Sequence, residues 1–387
     1  MIVRDILSIL IALASVSVPV KENPNKDYLE ELIENQGYKV KKYVITTSDG
    51  YQLSLHRILN PQKTKNSVLL QHGLLSCGAQ WVVNGNKSLA FMLFHAGYDV
   101  WISNSRGTSL SKGHVTLSRN DPQYWDFSFH ELGLYDVPAA IDFILNNTKR
   151  ESLHYIGHSQ GCTSILTTAI LRPEYQKKII SAYLLHPAVF LHNLYPVARE
   201  ITHDIVDILY ERNEPWFILR NTLFSSSSYK ICNAPLAGIA CYGFFMDLFG
   251  GNSQQAENPQ IVISKIYVDY VFNDASRKQC EHLVQISDAG KFQMYDYGEE
   301  MNKRRYNGSK VPPEYDLSAV SFPVMVTYGT IDGLTTDTDS KILISRLKNV
   351  IKTIELPYNH LDPIHSKHVD IWLHQPIIDS LNSYASN

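Results

Sequence analysis

The chain has 387 residues, 44% hydrophobic and 19% charged, enough apolar material for a large core in one domain or two. A formal net charge of -3 supplies no basic surface, so no nucleic-acid partner is expected. No His/Cys/Asp cluster has metal-ligand spacing and no glycine-rich phosphate loop occurs, which leaves nothing to hold a metal or nucleotide.

The N-terminus carries Arg4 and then an apolar run from Ile6 to Val18, interrupted only by small residues. The run is too short to span a bilayer and ends in small residues, so residues 1–18 read as a secretory signal peptide. No other apolar run reaches the roughly 18 residues of a transmembrane segment. Three glycosylation sequons agree with a secretory route, at Asn86, Asn146 and Asn307. Of five cysteines at least one stays unpaired. Cys232 and Cys241 are the favoured pair, because they lie in one Gly/Pro-bearing, aromatic-rich segment that a staple would fix. Cys77 and Cys162 sit in apolar surroundings and read as packing residues.

Along the mature chain, residues 27–33 have helical spacing and stop at Gly37. Residues 43–47 and 51–58, joined by Ser48-Asp49-Gly50, read as a β-hairpin. Residues 67–71 form a continuous apolar run of the kind buried in a parallel sheet, and it opens into His72-Gly73-Leu74. A helix through Leu89 to His95 and a strand at 98–103 complete a βαβ unit. Apolar runs at 152–156, 181–185, 324–328 and 352–356 continue the alternation, which predicts an α/β fold with a parallel sheet covered on both faces. Ligands of such sheets bind beyond the carboxyl ends of the strands.

At one of those ends stands Gly157-His158-Ser159-Gln160-Gly161, between a short apolar strand and an apolar helix. A serine at a strand-to-helix apex, flanked by glycines two positions away, is the nucleophile-elbow pattern: it lifts the hydroxyl off the sheet and aims a helix N-terminus at it. An acid and a histidine should then follow later strands, in that order. Asp332 follows the strand ending at Tyr328, and His360 follows the one ending at Leu356. His360 is the candidate general base, Asp332 its orienting carboxylate, and the backbone N–H groups of Leu74 and Gln160 the oxyanion donors. Asp337, Asp339 and Asp362 compete with Asp332 but read as helix-capping residues. His72 and His158 read as packing, and His365 and His368 lie on a helical pattern beyond the site. A long aromatic-rich insertion separates Leu185 from Val324, and its place in the chain puts it over the carboxyl edge of the sheet.

These stretches together resemble the acid lipase family, which includes lysosomal acid lipase and the gastric and lingual lipases. The resemblance runs through Thr47-Ser48-Asp49-Gly50-Tyr51, His72-Gly73-Leu74, Asn104-Ser105-Arg106-Gly107, Trp125-Asp126-Phe127-Ser128-Phe129, the elbow, Phe292-Gln293-Met294-Tyr295-Asp296-Tyr297-Gly298, Pro312-Pro313-Glu314-Tyr315 and Asn359-His360-Leu361-Asp362. It implies an α/β-hydrolase core in two parts, 19–186 and 317–387, with a mainly helical cap or lid at 187–316. It also implies hydrolysis of triacylglycerols or sterol esters, no cofactor, and an acidic lysosomal or secreted setting. The family's nucleophile, acid and base fall on Ser159, Asp332 and His360, its oxyanion donors on Leu74 and Gln160, and its cap disulfide on Cys232 and Cys241. Cys162 departs from the threonine common there, and His130 from an acidic residue. Acid operation requires His360 to be neutral where a free imidazole is protonated, and burial under a cap disfavours the charged ring. Two other readings use the same scaffold: a carboxylesterase for soluble esters, and a non-catalytic lipid-binding protein.

Overall fold

A computed structural model describes residues 27–217, 249–250 and 270–384. Residues 1–18, Cys232, Cys241 and most of the aromatic insertion lie outside the described residues.

The first helix, α1 (Tyr28–Asn35), is capped by Asp27, whose carboxylate accepts from the Leu29 and Glu30 amides. The hairpin follows as β1 (Val40–Thr46) and β2 (Tyr51–Ile58), paired antiparallel with Thr46 opposite Gln52. Gly50 turns the chain at φ +98°, a conformation that favours glycine. The remaining strands of the main sheet are β3 (Ser67–Gln71), β4 (Asp99–Ser103), the two-residue β5 (Gly113–His114), β6 (Leu153–His158), β7 (Ile179–Leu185), β10 (Val324–Gly329) and β11 (Val350–Leu356). A separate pair, β8 (Trp216–Phe217) and β9 (Ala275–Ser276), lies within the insertion.

The sheet order is β1-β2-β4-β3-β6-β7-β10-β11, with β5 beside β2. From β4 to β11 every pairing is parallel; β2 runs against both β1 and β4. Because successive residues of a strand face opposite ways, the buried strands divide their side chains between two cores. Val68, Leu70, Val100, Ile102 and Ile156 enter one, with α2 (Leu89–His95) and the C-terminal helix Gln375–Ser383. Leu69, Trp101, Tyr155 and Leu184 enter the other, with α3 (Val137–Thr148) and α4 (Gln160–Leu171). Cys77 and Cys162 are buried in the first and second core respectively. Helices on both faces explain why β3, β4 and β6 are buried along their whole length and read as mainly apolar runs.

Strand boundaries differ from the sequence reading by up to three residues, most at β1, which runs over Val40–Thr46 rather than 43–47. β4 starts at Asp99 rather than at 98, and the Asp99 carboxylate is buried yet satisfied by Arg57, Arg150, Ser67 and the Trp101 indole at 2.7–3.1 Å. β11 starts at Val350, two residues early, and is an edge strand largely open to solvent, so its ends carry no clear burial pattern.

The chain leaves β3 for β4 on one side and returns to β6 on the other. The loops after β3 and β6 therefore part at a topological switch point, where α/β sheets open a ligand crevice.

Candidate active site

Ser159 sits at φ 54°, ψ -118°, between β6 and α4. A non-glycine residue there is strained, so the neighbours must fix it. The Ser159 amide donates to Leu185 O at 2.9 Å, and its carbonyl accepts from Cys162 N at 3.0 Å and Ala188 N at 3.3 Å. The flanking glycines are steric requirements. A Cβ on Gly157 would lie 2.7 Å from the Gly161 carbonyl carbon, and one on Gly161 would lie 2.5 Å from Gln71 O. Strand and helix cross too closely here for any side chain.

His360 Nε2 lies 2.9 Å from Ser159 Oγ, and His360 Nδ1 lies 2.9 Å from Asp332 Oδ2. A carboxylate only accepts, so Nδ1 carries the proton and Nε2 offers its lone pair to the serine hydroxyl. Asp332 is fully buried after β10 and well supplied with donors. Its Oδ1 accepts from the Leu334 and Thr335 amides at 2.9 and 2.8 Å, and its Oδ2 accepts from Thr335 Oγ1 at 2.7 Å and His186 Nδ1 at 2.7 Å. Burial opposes its ionisation, but His360 and His186 hold its pKa well below the usual carboxylate range. His186 Nδ1, Asp332 Oδ2 and His360 Nδ1 form a tight group within 4.8 Å, each atom engaged in a hydrogen bond.

His360 is held from outside as well. Its amide donates to Phe249 O at 3.1 Å, its carbonyl accepts from His158 Nε2 at 3.0 Å, and the Phe249 ring stacks on its own at 6.3 Å. The loop after β3 passes directly beside the serine: a Cβ on Gly73 would lie 3.0 Å from Ser159 Cβ. Leu74, next in that loop, lines the same cavity as Ser159. Gln160 is the first residue of α4, so its N–H has no acceptor within the helix. The cavity measures about 200 Å³ and is apolar apart from the catalytic end, with Leu191, Leu194, Ile201, Ile205, Leu283 and Val284 arriving from the 187–316 stretch.

The competing residues go elsewhere. His72 has both ring nitrogens engaged, Nδ1 with Gly73 O and Nε2 with Ser105 N, and burial lowers its pKa to about 4. Asp337 pairs with Lys341 on the helix Asp337–Arg346, whose cap is Thr336, while Asp339 holds Asn193 at 2.7 and 2.9 Å. Asp362 accepts from Asn359 N at 2.7 Å, and His365 is buried on the following turn. Asn86, Asn146 and Asn307 are exposed. Sequence reasoning missed Thr335 and His186. His186 was within reach of it, since it too directly follows a strand at the carboxyl edge.

A strand–serine–helix elbow joined by hydrogen bonds to a histidine and an aspartate after later strands, on a mostly parallel sheet, defines an α/β-hydrolase. Comparison with known proteins agrees: residues 66–367 match the alpha/beta hydrolase fold family, and residues 29–85 match the partial alpha/beta-hydrolase lipase region. Mouse gastric triacylglycerol lipase is 32% identical over 88% of this chain and 88% of its own. Human lipase member K is 31% identical over 93% and 92%, and Lipase 1 of Drosophila melanogaster is 33% identical over 86% and 75%. Among solved structures, a protein from Sulfolobus solfataricus aligns with a TM-score of 0.58 at 16% identity, covering 90% of this chain and 94% of its own. The monoacylglycerol lipase of Paleococcus ferrophilus aligns with a TM-score of 0.52 at 18% identity, over 86% and 99%. The chain belongs to the acid lipase family of α/β-hydrolases and is a carboxylic ester hydrolase. Among the described residues no helix is long and apolar enough to cross a membrane.

Proposed function

We propose that the chain is a serine lipase that cleaves triacylglycerols or sterol esters at a lipid surface, through an acyl-enzyme formed on Ser159. The observation that carries this reading is the unbroken hydrogen-bonded line from Ser159 through His360 to Asp332 at the floor of an apolar cavity. His360 Nε2 takes the Ser159 proton as Oγ attacks the ester carbonyl, and the Leu74 and Gln160 amides receive the oxyanion. The same imidazole then protonates the departing alcohol. Water, deprotonated by His360, attacks the acyl-enzyme, releases the carboxylic acid and restores the serine. Asp332 fixes the tautomer and stabilises the imidazolium in both half-reactions.

The cavity's apolar walls suit an acyl chain, because burying each CH₂ contributes about 0.8 kcal/mol. Residues 187–316 form the cap over this cavity, stapled by Cys232–Cys241, between core segments 19–186 and 317–387. Residues 1–18 direct the chain into the secretory route, Asn86, Asn146 and Asn307 carry glycans, and the working compartment is acidic, a lysosome or the exterior. The relatives named as gastric triacylglycerol lipases support the substrate class. The test is turnover of emulsified triolein and cholesteryl oleate between pH 4 and 8 by the wild type and Ser159→Ala. Loss of turnover in the variant, a rate that jumps when substrate passes its solubility limit, and fluorophosphonate labelling of the wild type alone are expected. Unchanged turnover in Ser159→Ala refutes the mechanism, and a preference for dissolved short esters assigns the soluble-ester reading.

A further inference from the structure

The catalytic carboxylate serves two imidazoles. Asp332 Oδ2 accepts from His360 Nδ1 at 2.9 Å, from His186 Nδ1 at 2.7 Å and from Thr335 Oγ1 at 2.7 Å. A carboxylate oxygen has two lone pairs, so three donors on Oδ2 compete for it. Oδ1 offers no relief, since the Leu334 and Thr335 amides occupy it.

Packing alone does not account for His186. The ring is completely buried, and its Nε2 has no hydrogen-bond partner among the described residues. An apolar side chain would avoid the cost of that unpaired nitrogen, roughly 1–3 kcal/mol. The backbone is unusual too: His186 sits at φ 49°, anchored by its amide to Thr327 O at 2.9 Å, and this turn aims the ring at the carboxylate. Among the described residues its one side-chain hydrogen bond is with Asp332.

We propose that His186 is a positioning residue for the reaction: by donating to the oxygen that also receives His360, it divides that oxygen's charge between two rings and weakens its hold on the protonated form of His360. The enzyme then stays active to lower pH. The titratable groups around the carboxylate are His186 after β7, His360 after β11 and His158 at the end of β6, whose ring lies 5.1 Å from that of His360. Burial lowers the pKa of His186 and takes that of His158 well below the ordinary value, which favours the neutral form of both rings. A neutral His186 acts only through its N–H. Were it to gain a proton, its charge would oppose protonation of His360, which moves the limb in the same direction.

This inference rests on the Ser159–His360–Asp332 reading, and its test is kept separate from that one. The acidic limb of kcat/KM is measured with a dissolved short ester, p-nitrophenyl butyrate, for the wild type, His186→Ala and His186→Asn. In His186→Ala the limb moves to higher pH by about half a unit to one unit, the scale expected for one hydrogen bond to a charged acceptor. Asparagine places an amide N–H near the position of Nδ1 and tolerates positive φ, so His186→Asn restores the limb toward the wild-type position. A limb that stays fixed or falls in His186→Ala, or one that shifts equally in both variants, overturns the proposal. Should His186→Ala not fold, proton NMR of the wild type decides: two low-field Nδ1–H resonances are expected, and a single one overturns it. Fluorophosphonate labelling of Ser159 is followed in every sample, so failure of the triad reading shows as lost labelling in the wild type rather than as an unmoved limb.

Discussion

Two buried carboxylates near the carboxyl edge of the sheet are satisfied in opposite ways. Asp136 receives Arg106 Nε and Nη2 at 2.7 and 2.6 Å, and the same guanidinium reaches Asp49 at 2.6 and 3.0 Å while lying 3.9 Å over the Tyr51 ring. Among the described residues Asp332 meets no arginine or lysine; its donors are two amides, a hydroxyl and two imidazoles. Arginine never gives up its proton, so the first cluster carries a permanent countercharge and holds loops together. Asp332 is surrounded by neutral donors, so its charge remains available to an imidazolium that exists only during the reaction. The sharpest way to break this contrast is Asp332→Asn. The amide retains the shape but favours the wrong His360 tautomer, and kcat should fall by about 10⁴-fold with the thermal midpoint nearly unchanged. A loss below tenfold would mean that the carboxylate is structural, like Asp136.

The converse substitution is Arg106→Met. Methionine fills much of the volume but strands Asp136 and leaves Asp49 without its partner, and breaking a buried pair in this way costs about 3–5 kcal/mol. Urea unfolding should show that loss, while the fraction still folded reacts with a fluorophosphonate at the wild-type rate. Arg106→Lys keeps the charge without the planar fork, so it should recover part of the stability only. Equal losses of reactivity and stability in Arg106→Met would erase the distinction between the two clusters.

What sequence reasoning could reach follows the same division. β3, β6, β7 and β10 were legible because burial on both faces leaves mostly apolar residues, and Ser159 and Asp332 each stand just beyond such a run. His360 was legible by the same rule, although β11 ahead of it is an exposed edge whose first residues carry no periodic signal. Asp99 fell within the expected strand, but the partners that make its burial acceptable, Arg57, Arg150, Ser67 and Trp101, are assembled only by the fold. β5 is two residues long and exists through backbone pairing with Tyr51 and Gln52, which side-chain patterns do not encode. His186 and Thr335 have roles defined by an oxygen on a distant residue; in the sequence one is the end of a strand and the other a cap-rich stretch.

The contrast also predicts how the fold responds to acid. Burial lowers the pKa of His72, His154, His365 and His374 to about 4, and of His282 to about 3. An unfolded imidazole takes its proton near pH 6.5, so between 6.5 and 4 the unfolded chain binds more protons than the folded one. Stability therefore falls as the pH drops through that window, on the order of 1 kcal/mol per buried imidazole at pH 5. The thermal midpoint should decline from pH 7 to pH 4.5, with proton uptake on unfolding. The Arg106 guanidinium contributes nothing to that slope, because it does not titrate there, while burial raises the pKa of its partner Asp136, which acts in the opposite sense to the imidazoles. A flat profile would mean that these rings are protonated and paired in the folded state.

The mildest change removes one neutral donor from Asp332. Thr335→Val deletes the hydroxyl 2.7 Å from Oδ2 in nearly the same volume, and the Thr335 amide keeps its bond to Oδ1 at 2.8 Å. Four donors remain, so stability should fall by only about 1 kcal/mol, the net contribution of an ordinary hydrogen bond. With one competitor gone, Oδ2 holds protonated His360 more firmly, and the acidic limb should move upward, the same direction as in His186→Ala. Urea unfolding and the kcat/KM profile measure the two effects separately. Because no charge is left unpaired, the loss must stay well short of that in Arg106→Met. A loss as large would show that Asp332 depends on one particular donor, whereas a small one fits a carboxylate that many neutral groups hold in place and none neutralises.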